Sequence, residues 1–297
     1  MIEFLKAGLR LAVGAVLILA NTALHGTPLL LLALVKVVLP VAPVRRLLTR
    51  VLTRIAEGWI GVNSFLLVAV GGTRLLVDAP AGLRRDGWYL VLCNHQSWVD
   101  IPVLQAVFNR RIPLLRFFLK RELIWVPVLG LAWWALDFPF MKRYSKETLA
   151  RHPHLRGKDI EATRRACTKY RELPVAVMNF VEGTRFTVDK HARQPSPYRH
   201  LLTPRAGGIA FVLGAMGELI EAIVDVTIVY PAGRPSLADL FCGRVREVRV
   251  DVRSLPVPAT GDYENDSRAR EDFQAWLNAL WRHKDDTCVR LGGHRPD

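Results

Sequence analysis

Hydrophobic and polar positions divide the chain near residue 60. Before it, apolar runs at 11–20 (LAVGAVLILA) and 29–35 (LLLLALV) dominate, and no charged residue occurs between Arg10 and Lys36. A bilayer-spanning helix needs about 20 apolar residues. Gly26 and Pro28 interrupt the stretch near its middle, where a helix is weakest. The pattern predicts two helices, near 4–24 and 28–43, folded as a membrane hairpin. Lys6 and Arg10 flank the first and Arg45, Arg46 and Arg50 follow the second, so positive charge keeps both ends cytoplasmic. A single span, a shallow in-plane helix pair, a buried core pair and a cleaved signal peptide stay open as alternatives. From Val44 to Ile55 arginines and apolar residues alternate at helical spacing, an amphipathic pattern suited to phospholipid headgroups or to an ordinary solvated face.

Beyond residue 60 the periodicity becomes mixed. Runs rich in β-formers occur at 64–70, 73–77, 89–93, 114–119, 175–180, 224–229 and 245–252. Helical patterns fall near 98–109, 143–150, 158–172, 207–221 and 267–284. This alternation predicts an α/β fold, a mixed and mostly parallel sheet covered by helices, preceded by the N-terminal membrane hairpin. Residues 1–58 read as the anchoring helices with the basic amphipathic helix, and 59–297 as the catalytic domain. Phe273, Trp276, Leu277, Leu280 and Trp281 form an apolar stripe by which the last helix docks on that domain.

Composition sharpens the picture. Half of the residues are hydrophobic, and the formal net charge is +14. Such a balance favours polyanions, either nucleic acid or an anionic membrane face. The apolar N-terminus selects lipid, and no finger, RNP-like motif or basic tract supports nucleic acid. Cys93, Cys167, Cys242 and Cys288 form no CxxC pair, so neither a metal site nor a disulfide framework is expected.

Candidate chemistry follows two buried-strand patterns. The first, Tyr89–Cys93, leads into Asn94-His95-Gln96-Ser97-Trp98-Val99-Asp100. On a regular helix five positions would separate His95 from Asp100 by about 140°. They meet only if His95 lies in the turn before a helix and Asp100 in its first turn, with Asn94 or Ser97 as cap. A neutral imidazole can take a proton from an alcohol while a carboxylate fixes its tautomer and steadies the cation. No enzyme nucleophile accompanies the pair, so the substrate hydroxyl would attack directly. H-x4-D alone is equally a surface histidine beside a capping aspartate.

The second pattern, Val175–Phe180, leads into Val181-Glu182-Gly183-Thr184-Arg185. Gly183 permits close backbone approach, Thr184 supplies a hydroxyl, and Arg185 a planar donor fork for phosphate. Glu182 would hold Arg185 or contact substrate hydroxyls. Taken alone, these residues are also an ordinary turn with a surface ion pair.

Together the two runs resemble the first and third signature motifs of the glycerophospholipid acyltransferase family, whose 1-acylglycerol-3-phosphate acyltransferases use N-H-x-S-x-x-D and F-P-E-G-T-R. Lys120-Arg121-Glu122-Leu123, with Pro127 and Gly130, is similar to the block between them, and Met141-Lys142-Arg143 to its basic end. His200–Arg205 and Val224–Pro231 resemble the subgroup that includes lysocardiolipin acyltransferases. Val181 departs from the family's proline.

The resemblance implies catalysis by His95 and Asp100, and substrate binding by Glu182, Gly183, Thr184, Arg185, Lys120, Arg143 and Pro231, the last lining the acyl site. It implies no cofactor and no metal, with acyl-CoA or acyl-acyl carrier protein as co-substrate. The acceptor is expected to be a lysophospholipid, foremost 1-acylglycerol-3-phosphate giving phosphatidic acid. Lysocardiolipin and lysophosphatidylglycerol are alternatives, as are a thioesterase and a lipid-binding protein without catalysis. Membrane phospholipids are the expected partners, and the expected location is a bacterial inner membrane with the catalytic domain on its cytoplasmic side.

Overall fold

The structure, a computed structural model, describes residues 2–117, 119–141, 167–194, 196–263 and 265–293, together with 151, 161, 164 and 165. Two long helices open the chain, α1 (Ile2–Val38) and α2 (Ala42–Ala69). They run antiparallel. Near one end Asn21 Nδ2 donates to Trp59 O (3.0 Å) and to Asn63 Oδ1 (2.8 Å); near the other Lys36 Nζ donates to Thr49 Oγ1 (2.8 Å).

The hairpin is therefore present, but its bend is not at Gly26–Pro28. α1 passes through Pro28 unbroken, and the chain turns at residues 39–41. A mid-helix proline removes one rung of the hydrogen-bond ladder. Packing on both sides offsets that loss here: Asn21 is tied to α2 before it, and Leu29 and Ala33 bury in a cluster with Leu52 and Ala56 after it. The second arm contains the arginine-rich segment, and residues 64–69, which read as a strand, are its last turns. Tertiary context overrides the weak local β preference of Phe65 and Val68. By length and composition Ala7–Val38 and Ala42–Ala69 are both apolar enough to cross a bilayer, which fits a membrane protein.

The body of the molecule is built on β1 (Arg74–Asp78), β2 (Trp88–Cys93), β3 (Leu115–Phe117), β6 (Val175–Phe180), β7 (Ala222–Val229) and β8 (Glu247–Leu255). Their order is β1-β8-β7-β2-β6-β3; only β7 and β8 pair antiparallel. β4 (Leu119–Lys120) and β5 (Phe140–Met141) form a separate parallel pair. Among the described residues, further helices are α3 (Asp100–Phe108), α4 (Leu129–Ala135), α5 (Val188–Arg193), α6 (Ala206–Met216), α7 (Leu237–Phe241) and α8 (Ser267–Arg290).

Central strands of such a sheet are apolar on both faces because helices cover both. Leu90, Leu92 and Val177 face Ile209 and Leu213 of α6 and Phe273, Leu277 and Trp281 of α8. Tyr89, Val91 and Ala176 face Val103 and Val107 of α3. The expected docking of the last helix is thus realised. The helix pattern at 143–150 lies outside the described residues. So does most of 158–172, whose end is a 3-10 turn at Thr168–Arg171. The hairpin is fastened to the body by a buried ion pair between Lys36 of α1 and Asp137 after α4, at 2.8 Å.

Candidate active site

β2 and β6 are adjacent and parallel, with Cys93 opposite Phe180, so the loops that follow them leave the sheet side by side. Their backbones are tied twice, from Val181 N–H to Cys93 O (3.2 Å) and from Phe186 N–H to His95 O (2.8 Å). Asn94 does not cap α3. Its side chain donates to Ile228 O and accepts from Ile228 N–H, both at 2.9 Å, acting as one more peptide in the ladder to β7. Ser97 Oγ accepts from Val99 N–H (3.0 Å) and donates to Pro235 O. The loop is pinned on both flanks.

That turn places His95 before α3 and Asp100 in its first turn. His95 Nδ1–H donates to Asp100 Oδ2 at 2.8 Å; the carboxylate is an acceptor only, which assigns the tautomer. The same oxygen accepts from the backbone N–H groups of Gln96 (2.6 Å) and Ser97 (2.9 Å), and Oδ1 accepts from Tyr230 Oη (2.7 Å). Asp100 is fully buried, while the His95 side chain is 12% exposed. The imidazole stacks on Phe180 with centroids 3.8 Å apart and planes 11° apart. Among the described residues Nε2 has no hydrogen-bond partner, so the basic nitrogen is the one left open. Burial, and then the Asp100 charge, push the Tyr230 hydroxyl well above its ordinary range, so it remains a donor.

On the β6 side, Gly183 has φ +69, and a Cβ there would lie 3.2 Å from Arg205 Cδ. Arg185 lies over the half-exposed ring of Trp98, 4.1 Å from its centroid. The guanidinium is thereby set against the His95 loop. Lys190 Nζ donates to Thr184 Oγ1 (2.7 Å) and to Arg185 O (3.0 Å), holding the turn from α5.

Glu182 departs from expectation. It is 1% exposed and forms no ion pair with Arg185 among the described residues. Neither carboxyl oxygen has a well-formed hydrogen bond, although the backbone amides of Leu202 and His95 lean towards it. Burial pushes its pKa well above the ordinary carboxylate range, and the nearby Asp100 charge adds to the shift. An acid enclosed in this way is out of reach of a substrate hydroxyl; it underlies the loop.

Lys120 is exposed on β4, three residues past Phe117, whose ring lies 6.2 Å from that of Phe180. Pro231 follows Tyr230 at the end of β7 and is half-buried. Arg143 lies outside the described residues. Sequence reasoning missed three contributors. Phe180 supports the imidazole, Tyr230 serves the aspartate, and Arg234 donates to Gln96 Oε1 (2.6 Å) while stacking over Phe186. Tyr230 had a signal, its place in a family motif, but only the crossing of β7 beside β2 shows its partner.

Comparison with known proteins places this arrangement. The model of the family described as Acyltransferase matches residues 74–231, more than half of the chain and both loops. The chain belongs to the acyltransferase family. Mouse 1-acyl-sn-glycerol-3-phosphate acyltransferase gamma is 31% identical over 176 residues, covering 56% of this chain and 43% of that protein. An Arabidopsis thaliana relative, 1-acyl-sn-glycerol-3-phosphate acyltransferase 3, is 28% identical, covering 55% and 44%. The chain thus spans less than half the length of these relatives. The crystal structure of the 1-acyl-sn-glycerophosphate (LPA) acyltransferase PlsC from Thermotoga maritima superposes with a TM-score of 0.51 at 16% identity, covering 94% of this chain and 97% of that one. That likeness extends the shared fold to the hairpin.

Proposed function

We propose that the protein transfers a fatty acyl group from an acyl thioester, on coenzyme A or acyl carrier protein, to the free hydroxyl of a lysophospholipid, with 1-acylglycerol-3-phosphate as the acceptor. The observation that carries this reading is the 2.8 Å His95–Asp100 bond at an open ring nitrogen, beside Arg185. His95 Nε2 removes the proton of the acceptor hydroxyl as that oxygen attacks the thioester carbonyl, and Asp100 steadies the imidazolium. The C–S bond then breaks, and the imidazolium returns its proton to the departing thiolate, so that the carrier leaves as a thiol. Arg185, assisted by Lys120, holds the acceptor phosphate, and orientation accounts for much of the acceleration. Ser97 has its hydroxyl committed to Pro235, which favours attack by the lipid alcohol over an acyl-serine route. The names of the relatives support the acceptor, and the α1–α2 hairpin supports an anchor at the cytoplasmic face of a bacterial inner membrane, with residues 59–297 as the catalytic part.

The deciding experiment is His95→Ala, assayed with oleoyl-CoA and 1-acylglycerol-3-phosphate. Removing a general base typically loses about 10²–10⁴-fold in rate, and the variant should retain the wild-type melting profile. Near-normal turnover by the folded variant would overturn the reading.

A further inference from the structure

A second concave site lies at the opposite end of the strands from His95. It has a volume of about 180 Å³, and its walls are the middle of α2 (Arg50, Arg54, Glu57), Arg85 from the β1–β2 connection, and Arg116 with the segments leading into β3 and β6. Arg85 and Pro174 precede β2 and β6, whereas His95 and Arg185 follow those same strands. A strand of six residues is about 20 Å long. The cavity and the imidazole are therefore separate places on the molecule.

Its charge is unbalanced. Arg85 donates to both oxygens of Glu57, at 2.9 and 2.7 Å, so the carboxylate in the cavity wall is already neutralised. Of the acids close by, Glu172 pairs with Arg46 at 2.9 Å and Asp137 with Lys36 at 2.8 Å. Arg50, Arg54 and Arg116 have no acidic partner among the described residues. Arg116 is the telling one. It is 1% exposed, its Nε donates to Leu136 O at 2.8 Å, and its terminal nitrogens make no hydrogen bond among the described residues. A buried cation without a counter-charge is strongly disfavoured unless an anion completes it.

We infer that this cavity is an anion site for a phosphate ester, distinct from the acceptor clamp at Arg185. Guanidinium forks match tetrahedral phosphate oxygens, and three arginines without an acidic partner among the described residues line this cavity, two from a helix and one from a strand. The helix is one arm of the hairpin and carries the exposed apolar residues Leu47, Val62 and Phe65, so a lipid headgroup is within reach as well as a soluble ester.

The test uses full-length Arg185→Ala protein in detergent, in which the acceptor clamp is disabled, with inorganic phosphate, glycerol 3-phosphate and dihexanoyl phosphatidic acid as calorimetric probes. At least one probe should bind with one-to-one stoichiometry. Arg50→Gln/Arg54→Gln, added to that background, should weaken it at least about tenfold, the loss expected from removing charged hydrogen bonds. Arg268→Gln/Arg282→Gln removes equal charge from exposed positions of α8, outside the cavity, and should change affinity by less than about twofold. Tighter binding of the lipid than of glycerol 3-phosphate assigns a headgroup; equal binding assigns a soluble ester. No binding by any probe, or equal weakening by both double variants, overturns the site. Because Arg185 is replaced throughout and the readout is the loss caused by the cavity arginines alone, none of these outcomes depends on the catalytic reading.

Discussion

The loops after β2 and β6 leave neighbouring parallel strands, each carries an acid fully removed from water, and they treat it in opposite ways. Asp100 is met by four donors: the His95 ring, two backbone N–H groups and the Tyr230 hydroxyl. Glu182 has no well-formed hydrogen bond, and its proton is held by desolvation. A buried carboxylate is tolerable as an anion only when donors replace water. The first loop therefore surrounds its acid with donors and holds it against the imidazole. The second encloses an acid whose pKa burial raises, and Arg185 has no acidic partner among the described residues. The contrast explains how a positive clamp and a negative support coexist in adjoining turns without pairing with each other.

Four substitutions break or sharpen the contrast. Asp100→Asn should have the largest effect, lowering turnover by about 10²–10⁴-fold, because the amide neither stabilises the imidazolium nor enforces the tautomer. A variant retaining more than a tenth of wild-type kcat would show that the charged member is dispensable. Arg185→Ala should raise the acceptor KM by about 10–100-fold, the loss expected for hydrogen bonds to a charged group, with a smaller change in kcat. An unchanged acceptor KM in initial-rate measurements would remove the clamp from the scheme.

Tyr230→Phe strips one donor from the buried carboxylate, and should lower stability by about 1–3 kcal/mol in urea titrations. Glu182→Gln should be the mildest, with turnover retained within about tenfold. Its signature lies in pH. Glu182 keeps its proton in the folded protein above its ordinary value of 4.5. Over that range the folded state binds a proton the unfolded state has lost, so wild-type stability declines as pH rises towards the raised folded value. Glutamine does not titrate, and the variant should gain on wild type as pH increases from 4.5. A stability difference that stays flat with pH would mean that Glu182 is ionised in the fold.

Much of the sheet was legible, since β2, β6 and β7 are unbroken apolar runs ended by polar turns, and α8 has a clean stripe. The His95–Asp100 pairing was legible too, as a condition on the turn that the structure meets. The hairpin was foreseen but its bend misplaced, because local rules weigh Pro28 without the Asn21 and Ala33 contacts that hold α1 together across it. Glu182 was given a role at the surface because nothing in four residues of a turn says which side chain points inward. Tyr230 and Arg234 serve Asp100 and Gln96 from across the sheet, a proximity invisible along the chain.

Local order, apolar period and the two polar loops are properties of neighbouring residues, and so the amino-acid sequence alone determined the fold class, the membrane-compatible arms and the pairing of His95 with Asp100. Burial and long-range pairing depend on which strands become neighbours. Only the tertiary structure decided that one acid is met by four donors while burial raises the pKa of the other, that Arg185 rests on Trp98, and that Arg116 is enclosed without an acidic partner among the described residues. Desolvation and Coulomb interaction act through space, and space is ordered by the fold.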